Sequence, residues 1–347
     1  MSMKRDIKSM LLPELTEYFK STNQQTYRAQ QVFSWVHKGI SSFSEMTNIP
    51  IALREKLEDE FFISVPVLVE KQISGIDGTV KYLWQVLDGD MVECVLMKYS
   101  HGNSICISTQ IGCKMGCTFC ASAIDGYKRN LHASEMIDQV LFTQKDYGER
   151  ISNVVLMGIG EPLDNFDNVL RFYRLVTHAD GACIGARHLT VSTCGIIENI
   201  DRLADYDVQF TLAVSLHAPD DDTRSVLMPI SRNNAVKDLL AAGERYFKRT
   251  GRRVTYEYAM IDGVNDSPRQ AELLSELMVN TSGHLNLIYL SNVHECVFKS
   301  SSKENFDIFT TALRKNGVSY TIRRSLGCDI DASCGQLRRR KLQHDNH

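Results

Sequence analysis

The sequence predicts an α/β protein: a partial (β/α)6 barrel preceded by a small helical N-terminal accessory domain and a β extension. Three observations carry this. Beyond residue 104, strand-like runs alternate with segments of helical period, and six such β-α units imply a parallel sheet. Over roughly the first 60 residues, apolar side chains recur at three- and four-residue spacing, the mark of amphipathic helices. Between these regions, residues 65–99 switch to β character with turns at GIDG and DGD.

The N-terminal helical segments are 11–19, 27–36 and 51–61. Pro13 stands near the start of the first, where its missing N–H costs least. The β extension reads VPVLVEKQ, TVKYLWQVLDG and MVECVLMKY, a small antiparallel appendage ending at His101-Gly102-Asn103. Barrel strands are predicted over 104–109, 153–158, 187–193, 209–217, 252–261 and 284–290, and helices over 134–147, 167–176, 196–205, 235–249, 267–279 and 303–316. A last short strand, 318–324, precedes the tail. The chain therefore divides into 1–62, 63–99, 100–325 and 326–347. Parallel strands buried on both faces should read as nearly continuous apolar runs, and several of these do. In such barrels chemistry gathers at the C-terminal strand ends.

Composition narrows the function classes. With 43% hydrophobic and 23% charged residues and a formal net charge of −3, the chain is an ordinary globular protein, which excludes collagen-like, coiled-coil and disordered readings. No apolar run reaches the roughly 18 residues of a spanning helix. The opening MSMKRDIKSM lacks the apolar stretch of a secretory signal, so a cytoplasmic protein with no membrane partner is expected. Ten cysteines in a reducing compartment point to metal or redox chemistry before structural disulfides. The near-zero net charge leaves room for a local basic site that binds nucleic acid.

Directly after the first barrel strand comes Cys113-Lys-Met-Gly-Cys117-Thr-Phe-Cys120. Three thiolates on one tight loop suit a single metal centre. Structural zinc commonly needs a second ligand pair, and none lies nearby. A ferredoxin cluster wants four cysteines, so three would leave one iron of a four-iron cluster open to an outside ligand. Three packing cysteines are the plain alternative. After the second strand stands Gly158-Ile159-Gly160-Glu161-Pro162, which is not a dinucleotide fingerprint because Leu163 occupies the third glycine position. Ser192 ends the third strand, and Ser215-Leu216-His217 ends the fourth. Singly these are turn or capping residues. On consecutive strand ends they suit one shared mouth.

The C-x-x-x-C-x-x-C loop resembles the radical S-adenosylmethionine signature, and Gly160-Glu161-Pro162 resembles the strand end where that class holds the methionine ammonium. Two further stretches narrow the likeness. Cys106 lies in ICISTQIGC, and Cys334 lies in a tail running Gly327-Cys328-Asp329-Ile330-Asp331-Ala332-Ser333-Cys334-Gly335-Gln336-Leu337. Together with YRAQQVFSWVHKG, SLHAPDDDTRSVLMPI, TGRRVTYEYAMIDGVND and RNL at 129–131, they closely resemble the RlmN family of RNA adenine methyltransferases over almost the whole chain. The sister family Cfr methylates carbon 8 instead of carbon 2; at TYEYAMIDGVND and YKRNL this sequence is nearer RlmN.

The resemblance implies a [4Fe-4S] cluster on Cys113, Cys117 and Cys120, and a cofactor site at Gly160, Glu161, Ser192, Ser215, Leu216 and His217. It implies two S-adenosylmethionine molecules per turnover. One methylates Cys334, and the other yields the 5′-deoxyadenosyl radical that activates this methyl for attack on carbon 2, an sp² centre with no lone pair of its own. Cys106 would then close a transient disulfide with Cys334 by thiolate exchange. Glu93, thirteen residues before Cys106, matches the family's proton acceptor; as a lone strand Glu it would otherwise read as a solvated carboxylate. The implied substrates are 23S rRNA and the tRNA adenosine next to the anticodon, the target base being swung out of its stack. A one-electron reductant such as flavodoxin or ferredoxin and a monomeric enzyme complete the picture. Phosphate contacts are expected from Lys128-Arg129, Lys248-Arg249 with Arg252-Arg253, Arg323-Arg324 and Arg338-Arg339-Arg340-Lys341, each of which could equally be a solvated charged surface. Two alternatives stay open: Cfr-type methylation of carbon 8, and a nucleic-acid-binding iron–sulfur protein without transferase activity. One departure stands out. Where the family has L-I-P-x-N, this chain reads Leu287-Ile288-Tyr289-Leu290-Ser291-Asn292, placing Ser291 at the cofactor-contacting Asn. Cys94, Cys183, Cys194, Cys296 and Cys328 have no matched role and read as small hydrophobes.

Overall fold

Ten strands hydrogen-bond into one sheet in the computed structural model, which describes residues 4–291, 296–330 and 335–345. From one edge they are Tyr320–Ile322, His284–Tyr289, Val254–Met260, Thr211–Ser215, Leu189–Thr193, Ile151–Leu156 and Gly102–Ile107, all parallel. Met91–Tyr99, Val80–Gln85 and Val67–Ile73 follow, each antiparallel to its neighbour. The hydrogen-bonding order does not close on itself among the described residues, so the barrel is partial.

The predicted barrel helices stand at Ala133–Tyr147, Phe166–Thr177, Ile197–Ala204, Val236–Thr250, Pro268–Val279 and Lys303–Lys315, and the N-terminal helices at Leu12–Ser21, Tyr27–Val36 and Ile51–Glu60. Parallel pairing of Arg5–Asp6 with Phe61–Phe62 ties the two ends of the helical region together. It docks on the barrel through a buried ion pair, Lys8 with Asp138, whose carboxylate also accepts a 2.7 Å bond from Ser64. Arg171 and Glu14 add a second, half-exposed pair.

One expectation about the sheet needs correction. The β extension is not a separate appendage. Antiparallel pairing of Val95 with Cys106 and Cys94 with Ile107 makes it continuous with the barrel sheet. The barrel strands are apolar on one face. Ile105, Ile107, Val154, Leu156, Leu189, Val191, Leu212, Val214, Tyr256 and Tyr258 join the main core under the helices. Alternate residues, among them Cys106, Thr190, Ser192, Thr211, Ser215 and Glu257, face the other way. Because strand side chains alternate, one face packs on helices while the other lines a polar lumen.

Sequence reading missed several short elements. Strands Gln110–Gly112 and Tyr127–Asn130 pair around the cysteine loop, and helices Asp221–Leu227 and Gln336–Asp345 lie beyond the predicted set. The two strands and Asp221–Leu227 are too short to show a periodic pattern of their own, and Gln336–Asp345 is too polar to announce a core face.

Candidate cluster and cofactor site

The cysteine loop is pinned from several sides. Cys113 donates its N–H to Gly126 across the flanking hairpin, and Cys120 donates to Cys117 within the turn. The Thr118 N–H reaches Leu227 at 2.9 Å, joining the loop to the helix Asp221–Leu227. Phe119 meets the His217 ring edge-on, with centroids 5.0 Å apart, and Lys114 pairs with Asp164 at 2.7 Å. The thiols lie close enough to feel one another's charge. Burial pushes the Cys113 thiol up to about 12 and raises Cys117 as well. Such thiols ionise readily only when a metal takes the proton's place. Among the described residues no three His, Cys, Asp or Glu side chains converge on one ion. A four-iron cluster asks for something different, one thiolate per iron, and three linked thiols on a fixed loop fit that demand.

Beside the loop, four strand ends form a cradle. Gly160 adopts φ +106°, and a Cβ there would stand 2.6 Å from the Gln110 side chain. Only glycine suits both the left-handed backbone and the close approach. The Glu161 N–H donates to Gln110 at 2.8 Å, and its buried carboxylate accepts from Cys194 N–H at 2.7 Å and Leu163 N–H at 3.0 Å. Burial pushes the Glu161 carboxyl up, opposed by those donors. Ser192 and Ser215 are half-buried at the ends of adjacent strands, and Leu216 is fully buried. His217 adopts φ +57°, and its Nδ1 accepts the Ala259 N–H at 3.0 Å. Burial holds its pKa down at about 3, so the ring is neutral with its proton on Nε2. Ser291 is exposed beyond the strand His284–Tyr289, and Asn292 lies outside the described residues.

Glu93 and Cys106 share the lumen face. Val95, two residues after Glu93, pairs across the strand with Cys106, which pairs in turn with Val155. Cys106 is buried beside Val95, Met97, Met157 and Leu326, the last from the start of the tail. The Glu93 carboxylate is buried in an ion pair with Lys81 at 2.8 Å. It also accepts the N–H groups of Gly335 and Arg338, so it caps the helix Gln336–Asp345. Cys334 itself lies outside the described residues. The residues around its segment are anchored on both sides. Upstream, Asp77 accepts the Gly327 N–H at 2.8 Å, while Asp329 accepts from Ser74 and Gly75. Downstream, Gly335, at φ +83°, packs so closely that a Cβ would stand 3.0 Å from Ser122 N, two residues past Cys120.

Glu257, Lys81 and Gln110 belong to this site although no motif marked them. Glu257 is buried opposite Ser215, accepts from Asn286 at 3.1 Å, and leaves Oε2 without a hydrogen-bond partner among the described residues. Its only sequence signal was a charged residue at a lumen position of a strand. The basic clusters, for their part, make internal contacts: Arg129 with Asp88 and Glu135, Lys128 with Asp90, Arg249 with Asp205, and Arg338 and Arg339 with Asp125.

Residues 107–273 match the Radical SAM superfamily, and residues 6–63 match the Ribosomal RNA large subunit methyltransferase N-terminal domain. The chain is 46% identical over 342 residues to a Clostridium novyi (strain NT) protein named "Probable dual-specificity RNA methyltransferase RlmN", covering 98% of this chain and 100% of that one. A protein of the same name from Alkaliphilus oremlandii (strain OhILAs) is 46% identical over 341 residues, covering 98% and 99%. The crystal structure of a radical SAM methyltransferase from Sphaerobacter thermophilus superposes with a TM-score of 0.90 at 40% identity, covering 96% of this chain and 98% of that one. No helix among the described residues is long and apolar enough to cross a membrane. Similarity of this extent, over both the barrel and the helical N-terminal region, means that the chain belongs to the RlmN family of radical SAM methyltransferases.

Proposed function

We propose that this enzyme methylates carbon 2 of an adenosine in the peptidyl-transferase centre of 23S rRNA, and of the adenosine next to the anticodon in tRNA, through S-methylation of Cys334. The observation that carries the reading is one lumen face: the cysteine loop and strand-end cradle stand at its mouth, and Glu93 and Cys106 lie under a tail anchored on both sides of Cys334. When bound, the cluster on Cys113, Cys117 and Cys120 and two S-adenosylmethionine molecules supply the methyl group and the radical chemistry that activates it. Glu161, Ser192, Ser215 and His217, with the backbone of Gly160 and Leu216, hold the cofactor. Glu93, ion-paired with Lys81, takes the proton from carbon 2. Cys106, as its thiolate, attacks the Cys334 sulfur; the disulfide forms as the bond from that sulfur to the base-linked carbon breaks, and the carbon keeps the electron pair and takes up a proton to become the product methyl. We take 1–62, 63–99, 100–325 and 326–347 as the working units, the enzyme as a cytoplasmic monomer, and flavodoxin or ferredoxin as the reductant.

Nucleoside mass spectrometry of rRNA and tRNA from cells with and without the gene should show 2-methyladenosine only where the gene is present; 8-methyladenosine alone would overturn the assignment of carbon 2. Cys106→Ala should leave a covalent protein–RNA adduct, and normal turnover of that variant would remove its resolving role. Fewer than about three irons per chain after anaerobic reconstitution would defeat the cluster reading.

A further inference from the structure

Arg224 is the largest fully buried side chain among the described residues, and no step above uses it. It sits in the helix Asp221–Leu227, the helix whose last residues accept hydrogen bonds from Thr118 between Cys117 and Cys120. Its guanidinium donates to four neutral oxygens: Leu216 O at 3.0 Å, Ser231 Oγ at 2.8 Å, Cys194 O at 2.8 Å and Ser215 O at 2.9 Å. No carboxylate oxygen is among them. The carboxylate whose charge it feels, Asp221, is engaged by the Val236 N–H. It also lies in the field of two thiols, Cys117 in the loop and Cys194 at the cradle, which share one apolar cluster, and of the neutral His217 ring.

A guanidinium does not give up its proton at any physiological pH, and a buried charge needs an opposite charge nearby. Here four N–H groups are bonded to neutral oxygens, and none of those bonds brings an opposite charge to the guanidinium. A four-iron cluster on three thiolates is a net anion and becomes more negative when it takes up an electron. Net charge near such a cluster is one of the levers that set its potential. We propose that Arg224 is the built-in countercharge of the iron–sulfur centre, stabilising its reduced form while its hydrogen bonds hold two cofactor-bearing strand ends against the cysteine loop. The proposal rests on the reading of Cys113, Cys117 and Cys120 as cluster ligands. Cys194 contributes its carbonyl as a link: its N–H binds Glu161 and its C=O binds Arg224, so one peptide joins the acidic and basic sides of the cradle.

The test is a redox titration followed by electron paramagnetic resonance on anaerobically reconstituted holoenzyme, with iron content and thermal unfolding measured on the same samples. Loading of the parent protein checks the cluster reading separately. Arg224→Gln should lower the reduced-to-oxidised ratio at fixed potential about tenfold, equivalent to about 59 mV for a one-electron couple. Arg224→Lys, which keeps the charge and loses part of the hydrogen bonding, should stay near the parent potential while unfolding at lower temperature. A fully loaded Arg224→Gln protein with the parent potential would overturn the proposal and leave Arg224 a purely structural residue. Should Arg224→Gln fail to fold, Ser231→Asp read against its neutral isostere Ser231→Asn decides the matter. The aspartate would pair with Arg224 and shift the potential downward, whereas equal potentials in the two variants would overturn the countercharge.

Discussion

Gly160 shows how much one backbone position can demand. Its φ of +106° is open to glycine at little cost, and the Gln110 side chain occupies the space a Cβ would take. Strain of this kind costs on the order of 1–3 kcal/mol before any clash is counted. Gly160→Ala should therefore lower the urea unfolding free energy by at least that amount. It should also weaken S-adenosylmethionine binding in equilibrium dialysis, because Glu161 follows directly. Unchanged binding would mean that the turn is not part of the cofactor cradle. Glu93 carries the complementary lesson. A lone strand glutamate looks like a solvated charge in sequence, yet it is buried, paired with Lys81 and bonded to the tail helix.

At the scale of elements, the β extension and the C-terminal tail explain each other. Leu337 packs on Leu83 and Met91, Arg340 pairs with Glu70, and the turn Ser74–Asp77 holds Gly327 and Asp329. The extension thus provides a docking sheet for the segment that bears Cys334. Asp329→Ala removes bonds to Ser74 Oγ at 2.6 Å and Gly75 N at 2.8 Å. With both bonds gone, the tail should open more often than in the parent. Limited trypsin digestion at Arg323 and Arg324 reads this directly, and a cleavage rate equal to the parent's would show that the turn does not anchor the tail. None of these contacts was legible in sequence. They join residues some 250 positions apart, and no local pattern records such a pairing.

For the molecule as a whole, docking of the helical N-terminal region on the barrel carries a built-in acid sensitivity. His37 is buried at this junction, 4.2 Å from the Phe33 ring, which also meets His178, and neither of its ring nitrogens has a partner among the described residues. Burial, with the nearby Lys8 charge, holds its pKa down at about 3 against an ordinary 6.5. The folded state therefore binds this proton more weakly than the unfolded state. The neutral ring is fully accommodated above pH 6.5, and stability is lost as pH falls from there toward 3, by about 1.4 kcal/mol per unit. His37→Leu should show a correspondingly shallower loss in denaturant titrations between pH 6.5 and 4.5. Equal slopes for the two proteins would mean that the ring is protonated in the folded state.

Spacing by itself determined a good deal here. Six β-α units, the three-cysteine loop and the Gly160-Glu161 strand end follow from periodicity and from local residue chemistry, because those signals are short-range. Tertiary structure decided what long-range pairing decides. It merged the β extension into the barrel sheet, turned alternate strand residues into a polar lumen, and brought Glu93, Lys81 and Cys106 under the tail. It also buried Arg224 beside the cysteine loop with only neutral acceptors. In sequence, a buried charge and an exposed one look the same; only the packing around each reveals which needs a partner.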